Sequence, residues 1–198
     1  IPDDHQPFYS EKIAYMPDTY QVNDSHRVVH EHRPSRSECG LPEDAFVFCC
    51  FNQSYKITPD IFHIWMDLLN KTPNSVLWLF ESNEWATENL YKEAEKRGIN
   101  VERIIFAPHQ SVDMHLSRAQ NADLFLDNFP CNAHTTASDA LWIGLPLITI
   151  SGNSFASRVA GSLLQAMGMD ELITDNIESY QNLALKLAND PNYYQKVR

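Results

Sequence analysis

Three short stretches of this 198-residue chain carry polar side chains in patterns that can handle an anion. In "LDNFPCNAHTTASD" (126–139), an apolar run gives way to Cys131, His134, Thr135 and Thr136, and Asp139 follows about one helical turn later. A helix starting at Thr135–Thr136 leaves several backbone N–H groups directed outward. That end carries about half a positive charge from the macrodipole and attracts phosphate. Thr135 or Thr136 is expected to cap it. His134 can add a hydrogen bond, and Asp139 can accept from a ribose diol. The alternatives are an ordinary threonine cap beside a surface histidine, and a solvated aspartate.

In "CCFNQSYKITPD" (49–60), Gln53 and Lys56 lie in a polar turn between an apolar run and a helix. A lysine there is a point charge suited to a phosphate oxygen, unless it is simply a solvated surface lysine. In "APHQSVDMHLSRAQNAD" (107–123), His115 and Arg118 are three apart and share a helix face. One can stack on a flat base while the other donates to its carbonyls; the alternative is an exposed polar face.

Alternating elements must position these stretches. Apolar runs rich in Val, Ile, Leu and Phe predict strands near 46–51, 75–80, 103–106, 123–127 and 146–150. Helical patterns fall near 59–70, 84–97, 112–120, 135–143, 155–167 and 178–189. Thr58 and Pro59 form a helix start, with Ile61, Trp65 and Leu68 on one face. Gly98 and Gly144 are placed to end helices in the left-handed conformation. Five β-α repeats give the fold class: α/β, a Rossmann-like parallel sheet with helices on both faces. Ligands in such sheets bind beyond the C-terminal strand ends, where all three stretches lie. Residues 1–44 read as a polar linker, with 17–37 as its crossing segment, and residues 45–198 as the ligand-binding lobe.

Composition narrows the ligand. The chain is 43% hydrophobic and 21% charged, as a globular domain should be. Its net charge of −11 excludes a broad nucleic-acid or membrane-headgroup surface, so an anion must be held locally. The longest apolar runs are far short of a membrane span. The four cysteines, Cys39, Cys49, Cys50 and Cys131, show no C-x-x-C spacing; the first three are expected to be small buried hydrophobes in a reducing, cytoplasmic setting. The opening "IPDDHQPFYS" lacks a methionine and the ending "YYQKVR" falls in a helical pattern, as in a piece of a longer protein. There is no G-x-G-x-x-G, no P-loop and no G-x-S-x-G. "HEH" at 30–32 is not a zinc motif, and no D-x-D occurs. A sugar-nucleotide enzyme lacking D-x-D has to stabilise its leaving diphosphate with protein donors rather than a divalent cation.

"GLPEDAFVFCCFNQSYKITP", "TPNSVLWLF", "CNAHTTASDALWIGLPLIT" and "SFASRVAGSLLQAMGMDELI" together resemble the C-terminal lobe of the protein O-GlcNAc transferase/SPINDLY-like glycosyltransferases, glycosyltransferase family 41. The likeness runs from about Glu11 to the end, and "EKIAYMPDTYQVND" resembles the segment leaving the first lobe. The resemblance implies a GT-B fold, with tetratricopeptide repeats and an N-terminal catalytic lobe upstream. It implies that Lys56 and Gln53 contact the diphosphate and that His134, Thr135 and Thr136 bind the same phosphates. By the same likeness Asp139 takes the ribose, His115 lies against the base with Arg118 nearby, and Cys131 sits by the sugar's acyl pocket. Lys56 and His134 then stabilise the leaving group, with the general base elsewhere in the full protein. No metal and no further cofactor are implied.

Animal members have lysine where Val112 stands, and their long insertion has no counterpart between Asn23 and Leu41. The first departure implies different base or ribose contacts, and the second resembles bacterial or plant-like members. The implied activity is inverting transfer of N-acetylglucosamine from UDP-GlcNAc to Ser/Thr of proteins recognised mainly by upstream repeats. Plant SPINDLY proteins use GDP-fucose and related bacterial proteins glucosylate asparagine, so both remain alternatives. A non-catalytic nucleotide-binding scaffold is the alternative from another class.

Overall fold

A computed structural model describes residues 1–198 throughout. Strands β1 (Phe46–Cys50), β2 (Ser75–Phe80), β3 (Ile104–Ala107), β4 (Leu124–Leu126), β5 (Leu147–Ile150) and β6 (Ile173–Thr174) form one sheet. Its order is β3-β2-β1-β4-β5-β6, and every pairing is parallel. This is the doubly wound order, whose crevice opens where β1 and β4 run side by side. Helices α1 (Pro59–Lys71), α2 (Glu84–Lys96), α3 (Val112–Ala119), α4 (Thr135–Trp142), α5 (Val159–Ala166), α6 (Ile177–Asn189) and α7 (Pro191–Val197) complete the lobe.

The strands form where expected because they are buried on both faces: Val47, Phe48, Cys49 and Cys50 are all wholly inaccessible. Thr58 caps α1 by accepting from the Ile61 N–H, and Pro59 follows at the first helical position. The helix then buries seven apolar side chains, among them Ile61, Trp65 and Leu68. Each such side chain contributes about 1.5–3 kcal/mol when fully buried. Gly98 and Gly144 adopt φ of 75° and 72° after α2 and α4, as expected.

Two expectations need correction. The sheet has a sixth strand, Ile173–Thr174, whose two residues are too few to show a strand pattern. The helix expected over 155–167 starts as a separate 3-10 turn, Phe155–Ser157, and α5 proper begins at Val159. Ser154 and Ser157 cap that turn reciprocally, which breaks the continuous helix.

Residues 19–36 lie as a strap across the lobe. Thr19 bonds Ser162 of α5, Asn23 bonds Ser138 of α4, and Ser117 of α3 donates to the His32 carbonyl. Arg36 pairs with Asp123 at 2.8 Å just before β4. No helix is long and apolar enough to cross a membrane. All four cysteines are free; Cys49 and Cys50 are buried, Cys39 and Cys131 half-buried.

Candidate active site

The turns after β1 and β4 meet at the C-terminal edge of the sheet. Lys56 ends a 3-10 turn, Ser54–Lys56, and its ammonium donates to the Asn132 carbonyl at 2.8 Å. The Asn128 side-chain amide donates to the Lys56 carbonyl at 3.2 Å, tying the two turns from the other side. Gln53 is exposed beside them. Buried asparagines knit the floor: Asn52 Nδ2 and the Cys50 thiol donate to Asn128 Oδ1, and Asn132 Nδ2 donates to the Asn128 and Ile150 carbonyls. The sequence reading missed Asn52, Asn128 and Asn132. Their only signal is polarity at the end of an apolar strand.

The start of α4 departs from expectation. Neither threonine is the cap: His134 holds that position, and no side chain caps the helix. Thr136 is turned the other way, and its hydroxyl donates to Asn52 Oδ1. The backbone N–H groups of Thr135, Thr136 and Ala137 therefore donate to no protein group. The His134 ring is held by the strap. Its Nδ1 lies 2.7 Å from the Tyr20 hydroxyl, and Nε2 is buried without a hydrogen-bond partner. Burial and the nearby Lys56 charge lower its pKa, so the imidazole is neutral at physiological pH. Tyr20 also packs on Phe155 and lines a cavity of about 520 Å³ between the N-terminal residues 1–20 and α5.

Asp139 projects from the second turn of α4 and is ion-paired with Arg27 of the strap, both side chains being 14% exposed. Burial raises its pKa and Arg27 opposes that rise. The alternative of a solvated aspartate falls, because the side chain is largely buried and a strap cation occupies one of its oxygens. Arg27 and Tyr20 carried no local sequence signal, since their partners lie 112 and 114 residues away.

On α3, His115 packs edge-on against Phe51 with centroids 4.8 Å apart. Its Nδ1 lies 3.3–3.4 Å from the Arg118 guanidinium. Burial, then the Arg118 charge, lowers its pKa to about 4. Arg118 is 3% exposed, so the alternative of an exposed polar face falls and the pair turns inward. The guanidinium supports the His115 ring rather than offering itself at the surface. His115, Thr136 and Asp139 nevertheless line one narrow cleft with Phe51. Cys131 is half-buried in the turn before α4. No group of three or more His, Cys, Asp or Glu side chains is placed to hold a metal ion.

The family model for glycosyl transferase family 41 matches residues 32–198 of the chain. The chain belongs to this family. It is 39% identical over 186 residues to a probable UDP-N-acetylglucosamine–peptide N-acetylglucosaminyltransferase, SEC, of Arabidopsis thaliana, covering 91% of this chain and 19% of that protein. It is 40% identical over 164 residues to the UDP-N-acetylglucosamine–peptide N-acetylglucosaminyltransferase of Caenorhabditis elegans, covering 83% and 14%. This family 41 chain thus spans a fifth or less of these relatives. A solved O-GlcNAc transferase mutant from Thermobaculum terrenum superimposes with a TM-score of 0.74 at 29% identity, covering 80% of this chain and 33% of that one. The fold is that of a C-terminal GT-B lobe.

Proposed function

We propose that this family 41 chain is the nucleotide-sugar-binding half of an inverting, metal-independent protein O-glycosyltransferase that moves N-acetylglucosamine from UDP-GlcNAc to Ser/Thr hydroxyls. One observation carries the reading. The Lys56 ammonium, 76 residues away in sequence, is brought onto the turn that opens α4. A lysine and the free N–H groups of a helix start then face the same edge, which suits a diphosphate.

In this reading Lys56 and the α4 start at His134, Thr135 and Thr136 stabilise the charge that develops as the diphosphate leaves. Gln53 flanks the phosphates. His115 presents a neutral ring to the base, held by Arg118, and Asp139 shares its carboxylate between Arg27 and a ribose hydroxyl. Cys131 borders the sugar. The acceptor hydroxyl attacks the anomeric carbon in line, its proton passing to a base outside this chain. An N-terminal catalytic lobe and repeats that recognise acceptor proteins complete the enzyme, in the cytoplasm.

The test is calorimetric and thermal-shift titration of the full-length protein with UDP, GDP, UDP-GlcNAc and GDP-fucose, with and without magnesium. Ligand at a hundred times its Kd adds about 2.7 kcal/mol. Stabilisation by the UDP species without magnesium, abolished in Lys56→Ala, is the expected outcome. A preference for GDP species moves the donor to GDP-fucose. No binding and no transfer from any donor leaves a scaffold.

A further inference from the structure

At the end of β4 the chain buries a carboxylate where its flanking pattern is apolar: Asp127 is 1% exposed. Both of its oxygens are used. Oδ1 accepts the backbone N–H of Asn128 at 2.8 Å and that of Ala133 at 2.6 Å, and Oδ2 accepts the Thr149 hydroxyl of β5 at 2.6 Å. One oxygen atom therefore gathers both ends of the turn 128–133. Within that turn Asn132 bonds back to the Asn128 carbonyl at 3.0 Å, and its own carbonyl receives Lys56. Tyr180 of α6 donates to the Asp127 carbonyl at 3.0 Å, fixing the strand end from below.

A buried carboxylate is costly, and an apolar side chain would serve packing better. Burial raises the Asp127 pKa to about 7, opposed by its three hydrogen bonds and by Lys56. The other titratable groups facing it are the Cys50 thiol of β1 and the Tyr180 phenol of α6. What the carboxylate supplies is acceptors: two for the backbone of the turn and one for the neighbouring strand.

We propose that Asp127 is the positioning residue of this site, holding the 128–133 turn closed so that the Asn132 carbonyl fixes the Lys56 ammonium at the start of α4. The proposal rests on the reading of that edge as a diphosphate site. Asp127 acts through the turn and touches no substrate, so its loss falls on kcat more than on donor KM.

The test uses the full-length protein with Asp127→Ala, Asp127→Asn and Thr149→Val. Asparagine keeps Oδ1 as acceptor for both N–H groups and is the conservative variant. Asp127→Ala is expected to lose about a hundredfold in kcat with donor KM changed less than about threefold, as a displaced catalytic cation does. Asp127→Asn is expected to recover to within about threefold of wild type. Trace acylation of Lys56 by acetic anhydride is expected to rise in Asp127→Ala and return to the wild-type level in Asp127→Asn. A folded Asp127→Ala enzyme with wild-type kcat and wild-type labelling overturns the proposal. An Asp127→Asn enzyme as slow as the alanine variant also overturns it, since charge rather than turn geometry would then be responsible. Should Asp127→Ala not fold, Thr149→Val decides: about a tenfold loss of kcat supports the proposal, and an unchanged kcat overturns it. If the wild-type protein binds and transfers no sugar nucleotide, the functional reading falls and the Lys56 labelling alone decides. Labelling raised by alanine and restored by asparagine then sustains the positioning role, and unchanged labelling overturns it.

Discussion

Two regions at the same sheet edge began with similar claims and ended differently. The Lys56 turn and the start of α4 each offer groups that the lobe itself does not fully consume. The His115–Arg118 pair, three residues apart on α3, consumes itself: the guanidinium lies on the imidazole and is 3% exposed. Neighbours on one helix can satisfy each other locally and turn inward together. Groups carried on two different turns meet only where the sheet brings them, and part of their hydrogen-bonding capacity is left over. Convergence across the fold is therefore a better sign of ligand binding than spacing along one element.

The sharpest way to break this comparison is to remove one cation from each region of the full-length protein. Lys56→Ala is expected to lower transfer by hundreds-fold, because deleting one preorganised donor to a developing anion costs about 3–4 kcal/mol in the transition state. Its melting temperature should hardly change, since Lys56 is only half-buried. Arg118→Ala is expected to show the reverse, with a loss of about 1–3 kcal/mol in stability and a smaller fall in kcat. Denaturant titration and steady-state kinetics on both variants give the two readings. Equal kinetic losses would erase the distinction between the regions.

The next effect lies beneath the convergent region. Asn52 is 3% exposed, donates to Asn128 and accepts from Thr136, so it joins the floor of one turn to the helix of the other. Asn52→Ala leaves buried partners unsatisfied, and a stability loss of about 2–3 kcal/mol is expected. Donor affinity should fall with it. Normal affinity in a destabilised Asn52→Ala protein would separate the network from the site.

The two regions also respond to pH in opposite directions. His115 titrates near 4 in the folded lobe and near 6.5 when unfolded. The unfolded chain binds the extra proton between those values, so His115 makes stability rise as pH rises through that window. Asp127 titrates near 7 when folded and near 3.9 when unfolded. There the folded lobe holds the proton, and stability falls as pH rises from about 4 to 7. Each slope is at most about 1.4 kcal/mol per pH unit. Urea titrations from pH 4 to 7.5 should therefore show Asp127→Asn making the slope of stability against pH more positive and His115→Gln making it more negative. Parallel curves for wild type and both variants would refute the assignment of opposite slopes.

The same contrast explains what could be read from sequence. Strands β1 to β5 and the start of α1 were legible because burial on both faces and the Thr58–Pro59 pair are local signals. Gly98 and Gly144 were legible for the same reason. The presence of Lys56, His134, Asp139 and His115 near one edge followed from topology, since each lies in the turn or the first helical turns that follow a strand. What each side chain does there was not legible. Thr136 turns to Asn52, Arg27 reaches Asp139 across 112 residues, and Arg118 turns inward. The choice of partner depends on which distant groups the fold leaves unsatisfied, and no window of sequence contains that information.

The smallest predicted effect tests how the strap belongs to the convergent region. Tyr20 crosses from the strap to His134, where the phenol lies 2.7 Å from Nδ1. With the imidazole neutral, the direction of this bond follows the ring tautomer: the phenol donates when the ring proton is on Nε2 and accepts when it is on Nδ1, and the bond holds the ring in one of the two. Tyr20→Phe keeps the ring that packs on Phe155 and removes only that bond, for an expected loss of about 1 kcal/mol in stability. The His134 ring then loses its fixed tautomer at the head of α4, and a severalfold weakening of UDP binding should accompany the lost bond. The ring resonances of His134, followed by nitrogen NMR, should change from a single tautomer to a mixture. A preserved tautomer with unchanged UDP affinity would detach the strap from the site, leaving Lys56 and the α4 start to hold the phosphates without it.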